Sequence, residues 1–103
     1  MPHFLCKLLP PRPTFAHDMS SAERAVMWAH VAYWSELSSR GVAAAFGPVM
    51  DPDGAWGLGI LETEQAAQAR TLAADDPVSR SGLGFRYDIF PLPGLSIRPF
   101  QAR

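Results

Sequence analysis

Between two apolar runs, residues 42–49 and 55–63, the chain reads Asp51-Pro52-Asp53-Gly54. Proline presets φ at a turn's first corner, aspartate bonds backbone two residues on, and glycine supplies positive φ. That combination is a reversal signal, so the two runs return on each other as an antiparallel hairpin. A hairpin at the centre of the chain constrains everything placed around it.

The flanks supply the rest of a sheet. Residues 3–9 (HFLCKLL) read as a short strand stopped by Pro10-Pro11 and Pro13, whose rings cannot donate to a ladder. A proline-rich loop follows over residues 10–19. Ser20 or Ser21 then caps a helix, with Glu23 and Arg24 in its first turns, that runs to about Arg40 and closes on Gly41. After the hairpin, residues 64–74 form a short alanine-rich helix. Residues 83–90 alternate, with Phe85, Tyr87 and Ile89 on one face and Arg86, Asp88 and Phe90 on the other. Pro91-Leu92-Pro93-Gly94 breaks that strand, and residues 95–99 are expected as a further edge strand. The order is βαββαβ, an α+β, ferredoxin-like antiparallel sheet with both helices on one face, in a single domain over residues 1–103.

That arrangement leaves the second sheet face uncovered, and its strands are apolar too. A chain of 103 residues has nothing left to cover it, so a homodimer with two sheets face to face is expected. The net charge of −1, with no basic block, argues against a nucleic-acid partner. No apolar run approaches the ~20 residues that span a bilayer, and residues 4–9, broken by Lys7, do not make a signal peptide. One cysteine, Cys6, cannot form an intrachain disulfide, so a cytoplasmic location is expected.

The chemistry points to His30, set in the apolar stretch Val26-Met27-Trp28-Ala29-His30-Val31-Ala32-Tyr33-Trp34. Imidazole titrates near neutrality without help, which suits it to moving protons. The plainer reading is a core-edge histidine bonded to a carbonyl. Asp76 precedes Pro77, as a helix N-cap precedes N1. Capping is compatible with orienting an imidazole, because a carboxylate held by backbone donors stays ionised. Asp75 beside it is expected to be solvated. Gly47-Pro48 ends a strand and leaves backbone open to a ligand. Trp28, Trp34, Phe46 and Trp56 read as core, with Trp34 and Phe46 as candidate walls of a flat apolar pocket. Gly57 and Gly59 suggest close helix packing. Cys6 reads as a buried thiol, His3 and His17 have no partners at ligand spacing, and no metal site or cofactor motif is present.

Taken together, AHVAYWSELSSRG, VAAAFGPV, GAWGLGILETE and the alanine-rich helix ending at Asp76-Pro77 resemble the YCII-related (YciI-like) domains over residues 3–99. The resemblance implies a dimeric α+β barrel and an active-site pocket with a His and an Asp, here His30 and Asp76. It also brings a hint of small lyases or dehydrochlorinases acting on hydroxylated aromatic rings. Residues 10–19 and the tail after Pro91 depart from the family pattern. Two functions follow as expectations. One is a cofactor-free lyase or isomerase that uses a His30–Asp76 dyad on a small cyclic substrate. The other is a non-catalytic module binding a small molecule in the same pocket, beside Trp34, Phe46, Gly47 and Pro48.

Overall fold

A computed structural model describes residues 1–98. Four strands, β1 (His3–Leu9), β2 (Ala43–Val49), β3 (Trp56–Glu62) and β4 (Arg86–Pro91), make one antiparallel sheet in the order β2-β3-β1-β4. Two longer helices, α2 (Ser21–Ser39) and α3 (Ala66–Asp75), join two short ones, α1 (Phe15–Asp18) and α4 (Pro77–Arg80). The strand order is the ferredoxin-like one expected from βαββαβ. The expected edge strand over residues 95–99 does not form in residues 95–98, and Pro99 lies outside the described residues.

Each boundary has a local cause. The Ser20 hydroxyl accepts from the Glu23 amide at 3.1 Å while the Glu23 carboxylate accepts from the Ser20 amide at 2.8 Å, a capping box that starts α2. Gly41, at φ 75°, lets the chain leave α2 through the left-handed region. Asp51 binds the Asp53 amide at 2.9 Å, and Gly54 takes φ 132° to close the hairpin.

Strand β1 alternates strictly, burying Phe4, Cys6 and Leu8 against the helices. Phe4 and Cys6 meet Trp34 and Leu37 of α2, Leu61 of β3 and Ala69 of α3 in one core. Trp34 and Leu37 are almost wholly sequestered, a contribution of roughly 1.5–3 kcal/mol for a Leu-sized side chain. Trp28 departs from the expected core: it is 73% exposed on the outer side of α2. The inner face of that helix is instead set by Met27, His30, Trp34 and Leu37, spaced three and four apart.

Among the described residues, the opposite sheet face carries no helix. Register places Leu5 between Ile60 of β3 and Phe90 of β4, and Ala45 beside Ile60. Phe90 is 47% exposed there. Among the described residues, no helix is long and apolar enough to cross a membrane.

Candidate active site

Residues far apart in sequence converge on the Asp76 carboxylate. Pro77 disfavours helical backbone at the residue before it, so Asp76 sits at φ −60°, ψ 135°, between α3 and α4. That kink turns its side chain inward, where it is fully buried. Its Oδ1 caps α4 by accepting from the Val78 amide at 3.1 Å. Its Oδ2 receives three further groups: His30 Nδ1 at 2.8 Å, Trp34 Nε1 at 2.8 Å and the Tyr87 hydroxyl at 2.6 Å. His30 and Trp34 reach the same oxygen because four residues along a helix return to one face.

The protons in this cluster are fixed by what each group can do. Indole N–H only donates, so Asp76 Oδ2 must accept from Trp34. Trp34 Nε1 also lies 3.0 Å from the Tyr87 oxygen, which therefore accepts from Trp34 and gives its own proton to Asp76. An acceptor-only carboxylate leaves His30 to donate from Nδ1, which puts the lone pair of the neutral ring on Nε2.

Burial by itself pushes the Asp76 carboxyl up, but donation from His30 and Tyr87, the His30 charge and the Val78 amide outweigh it. The group is held below the ordinary carboxylate range. Burial, followed by the neighbouring Asp76 charge, drives the Tyr87 phenol upward, so it stays a donor.

The His30 side chain is 12% exposed and lines a cavity of about 420 Å³ on the helix side of the sheet. Leu8, Phe46 and Gly57 of the sheet and Met27 and Val31 of α2 contribute to its walls. Phe15 and Ala16 of α1, with Met19 after it, close the side formed by residues 10–19. Phe15 packs edge-on to Phe85 at 5.3 Å.

An ion cluster holds that segment down. Arg12 grips both Glu23 carboxylate oxygens at 2.8 Å each, and its Nε reaches Asp18 Oδ1 at 2.8 Å. The Arg12 bonds, with the Ser20 amide, bring the Glu23 carboxyl to about 2.

Of the residues expected around a ligand, Phe46, Gly47 and Pro48 line the cavity with His30. Trp34 does not. It is 1% exposed in the core, behind Phe46 and His30, and its N–H bonds to Asp76 and Tyr87. Asp75 is exposed and 3.9 Å from Arg80. Gly59 faces the Trp34 ring, and burial lifts the Cys6 thiol to about 12, which keeps it unreactive. Sequence reasoning missed Tyr87, although its inward place in the alternation of β4 marks it as a buried residue with a polar tip needing a partner. It also missed the methionines Met19, Met27 and Met50 at the cavity. Among the described residues no cluster of three His, Cys, Asp or Glu side chains could hold a metal.

The model of the YCII-related domain matches residues 4–93, nearly the whole chain. The chain belongs to the YCII-related family. No curated protein matches the sequence. Among solved structures, the fold is similar to 5-chloro-2-hydroxyhydroquinone dehydrochlorinase (TftG) from Burkholderia phenoliruptrix AC1100, in complex with 2,5-dihydroxybenzoquinone. The TM-score is 0.59 and the identity 19%, over 84% of this chain and 90% of that chain. For this YCII-related chain, such a likeness establishes the fold.

Proposed function

We propose that the chain is a small lyase or isomerase in which His30 moves a proton and Asp76 holds it in place. One observation carries the reading: a buried, ionised carboxylate fixes Nδ1–H of a histidine whose ring lines an apolar cavity. Among the described residues, Nε2 of His30 has no hydrogen-bond partner, and no buried side-chain nitrogen or oxygen is left unpaired, so Nε2 is open. In this reading Nε2 takes a proton from an acidic O–H or C–H of the substrate. The electron pair left behind either expels a leaving group or shifts a double bond. The imidazolium formed is stabilised by Asp76 and returns its proton to the leaving group or to a second carbon. The family membership and the dehydrochlorinase of similar fold support chemistry of this class on a small cyclic molecule.

The second reading, a binding module without turnover, uses the same cavity and needs only its apolar walls. Thermal-shift screening with phenols and unsaturated lactones, followed by turnover assays on each hit, separates the two. Turnover that falls about 10²–10⁴-fold in His30→Ala supports the acid–base reading. Hits that bind without turnover, or turnover that survives His30→Ala, would sink it. The reading also includes a homodimer through the open sheet face, where Leu5, Ile60 and Phe90 adjoin.

A further inference from the structure

The cavity beside His30 has an unusual balance of chemistry. Of the sixteen described residues that line it, His30 is the only one with a titratable side chain. The one other side-chain donor, Trp56 Nε1, is engaged by Asp51 Oδ2 at 3.3 Å. The rest of the surface is aromatic, aliphatic and methionine. No arginine or lysine is among the described residues that line it, and a charge brought into such a wall without a partner is strongly disfavoured. A ring bearing several hydroxyls would likewise leave most of them without a side-chain partner.

Size adds a second constraint. An apolar pocket of ~150 Å³ takes up a single benzene ring. This cavity, at about 420 Å³, is nearly three times as large. Three thioethers, on Met19, Met27 and Met50, give its walls the adaptability to pack against a flat, extended surface.

We propose that the cavity selects an uncharged ligand larger than one ring, fused or carrying an apolar substituent, with a single acidic O–H or C–H group directed at His30 Nε2. The inference rests on the reading that His30 faces the ligand. It goes further by excluding anionic and heavily hydroxylated single-ring molecules as preferred ligands.

The test is a ligand series on the wild-type protein followed by titration calorimetry: 1-naphthol, naphthalene, phenol, 1,2,4-trihydroxybenzene and 1-hydroxy-2-naphthoate. Binding of 1-naphthol at least tenfold tighter than phenol, the triol and the naphthoate is expected. His30→Ala should weaken 1-naphthol severalfold while leaving naphthalene unchanged. The triol or the naphthoate binding as tightly as 1-naphthol overturns the proposal, as do equal affinities throughout or no binding of 1-naphthol at millimolar concentration. Turnover is read separately. The expected preference without turnover of any compound keeps this inference and removes the acid–base reading. His30-dependent turnover of the triol with weak naphthol binding does the reverse.

Discussion

The ring of Trp34 lies where a side chain on Gly59 would have to be. A Cβ built on Gly59 would stand 2.7 Å from Cζ3 of the indole, closer than real Cβ atoms come. The absence of one methyl group on β3 therefore lets α2 press its tryptophan close against the sheet. It is this close approach that brings the indole N–H to 2.8 Å from Asp76, linking the packing of the core to the state of the site.

Gly59→Ala should accordingly do more than crowd the core. Overpacking costs roughly 1–3 kcal/mol, and a displaced Trp34 takes one donor away from Asp76. Urea unfolding should show that loss, with weaker ligand binding at the neighbouring cavity. Leu37→Ala is the control: it loosens the same core, but Leu37 neither lines the cavity nor bonds to Asp76. Equal effects from both substitutions on ligand binding would show that the Trp34–Asp76 contact is only structural.

Tyr87→Phe removes a donor from Asp76 without orphaning another, because Trp34 Nε1 keeps its bond to the carboxylate. A hydrogen bond to a charged group contributes about 1.5–3 kcal/mol, so a loss in that range is expected in urea. Tyr87 does not line the cavity, so ligand affinity should hold while any turnover falls through kcat. A change in KM alone would place Tyr87 at the ligand rather than behind Asp76.

Much of this was legible where local chemistry decides. The Ser20–Glu23 cap, the Asp51–Gly54 reversal and the inward alternation of Phe4, Cys6 and Leu8 follow from neighbours along the chain. A polar residue on an apolar helix and a capping aspartate both stand out in sequence, but it is the family resemblance that joins His30 and Asp76 as a pair. What could not be read was long-range. Helix α1 forms inside a proline-rich loop beside Arg12, which grips Glu23 eleven residues away. Trp28 and Trp34 look alike by composition, yet one is 73% exposed and the other 1%. Only the helix's final rotation against the sheet tells them apart. The bond between Tyr87 and Asp76 likewise depends on how β4 meets the α3–α4 kink.

Acid should weaken the fold through two carboxylates. Glu23 falls from its ordinary 4.5 to about 2, and Asp76 lies below its ordinary 3.8. Both bind protons less readily folded than unfolded. Their stabilisation is therefore fully present above about pH 4.5 and is lost as the pH falls toward 2. The urea midpoint should stay level from pH 7 to about 5 and decline below that. Glu23→Gln, which retains the capping shape, should make the decline shallower. Identical slopes in the two proteins would show that the Arg12 contact does not perturb Glu23.

The uncovered sheet face yields the last expectation. Leu5, Ile60 and Phe90 lie side by side on it, and Ala45 extends the row toward the β2 edge. Water against such a surface is unfavourable by roughly 25 cal/mol for each Å² of apolar area, and among the described residues no helix crosses to shield it. A second copy presents the same row, so the surface can complement itself about a two-fold axis. A homodimer burying on the order of 2,000 Å² in total is expected, and sedimentation equilibrium at micromolar concentration should find it. Ile60→Glu would set two carboxylates at the centre of that contact, where neither meets a cation, and should give a folded monomer by circular dichroism. The cavity lies between the sheet and the helices, so the monomer should retain ligand binding. A wild-type monomer at that concentration, or an Ile60→Glu dimer as tight as the wild type, would mean that this face does not join the two copies.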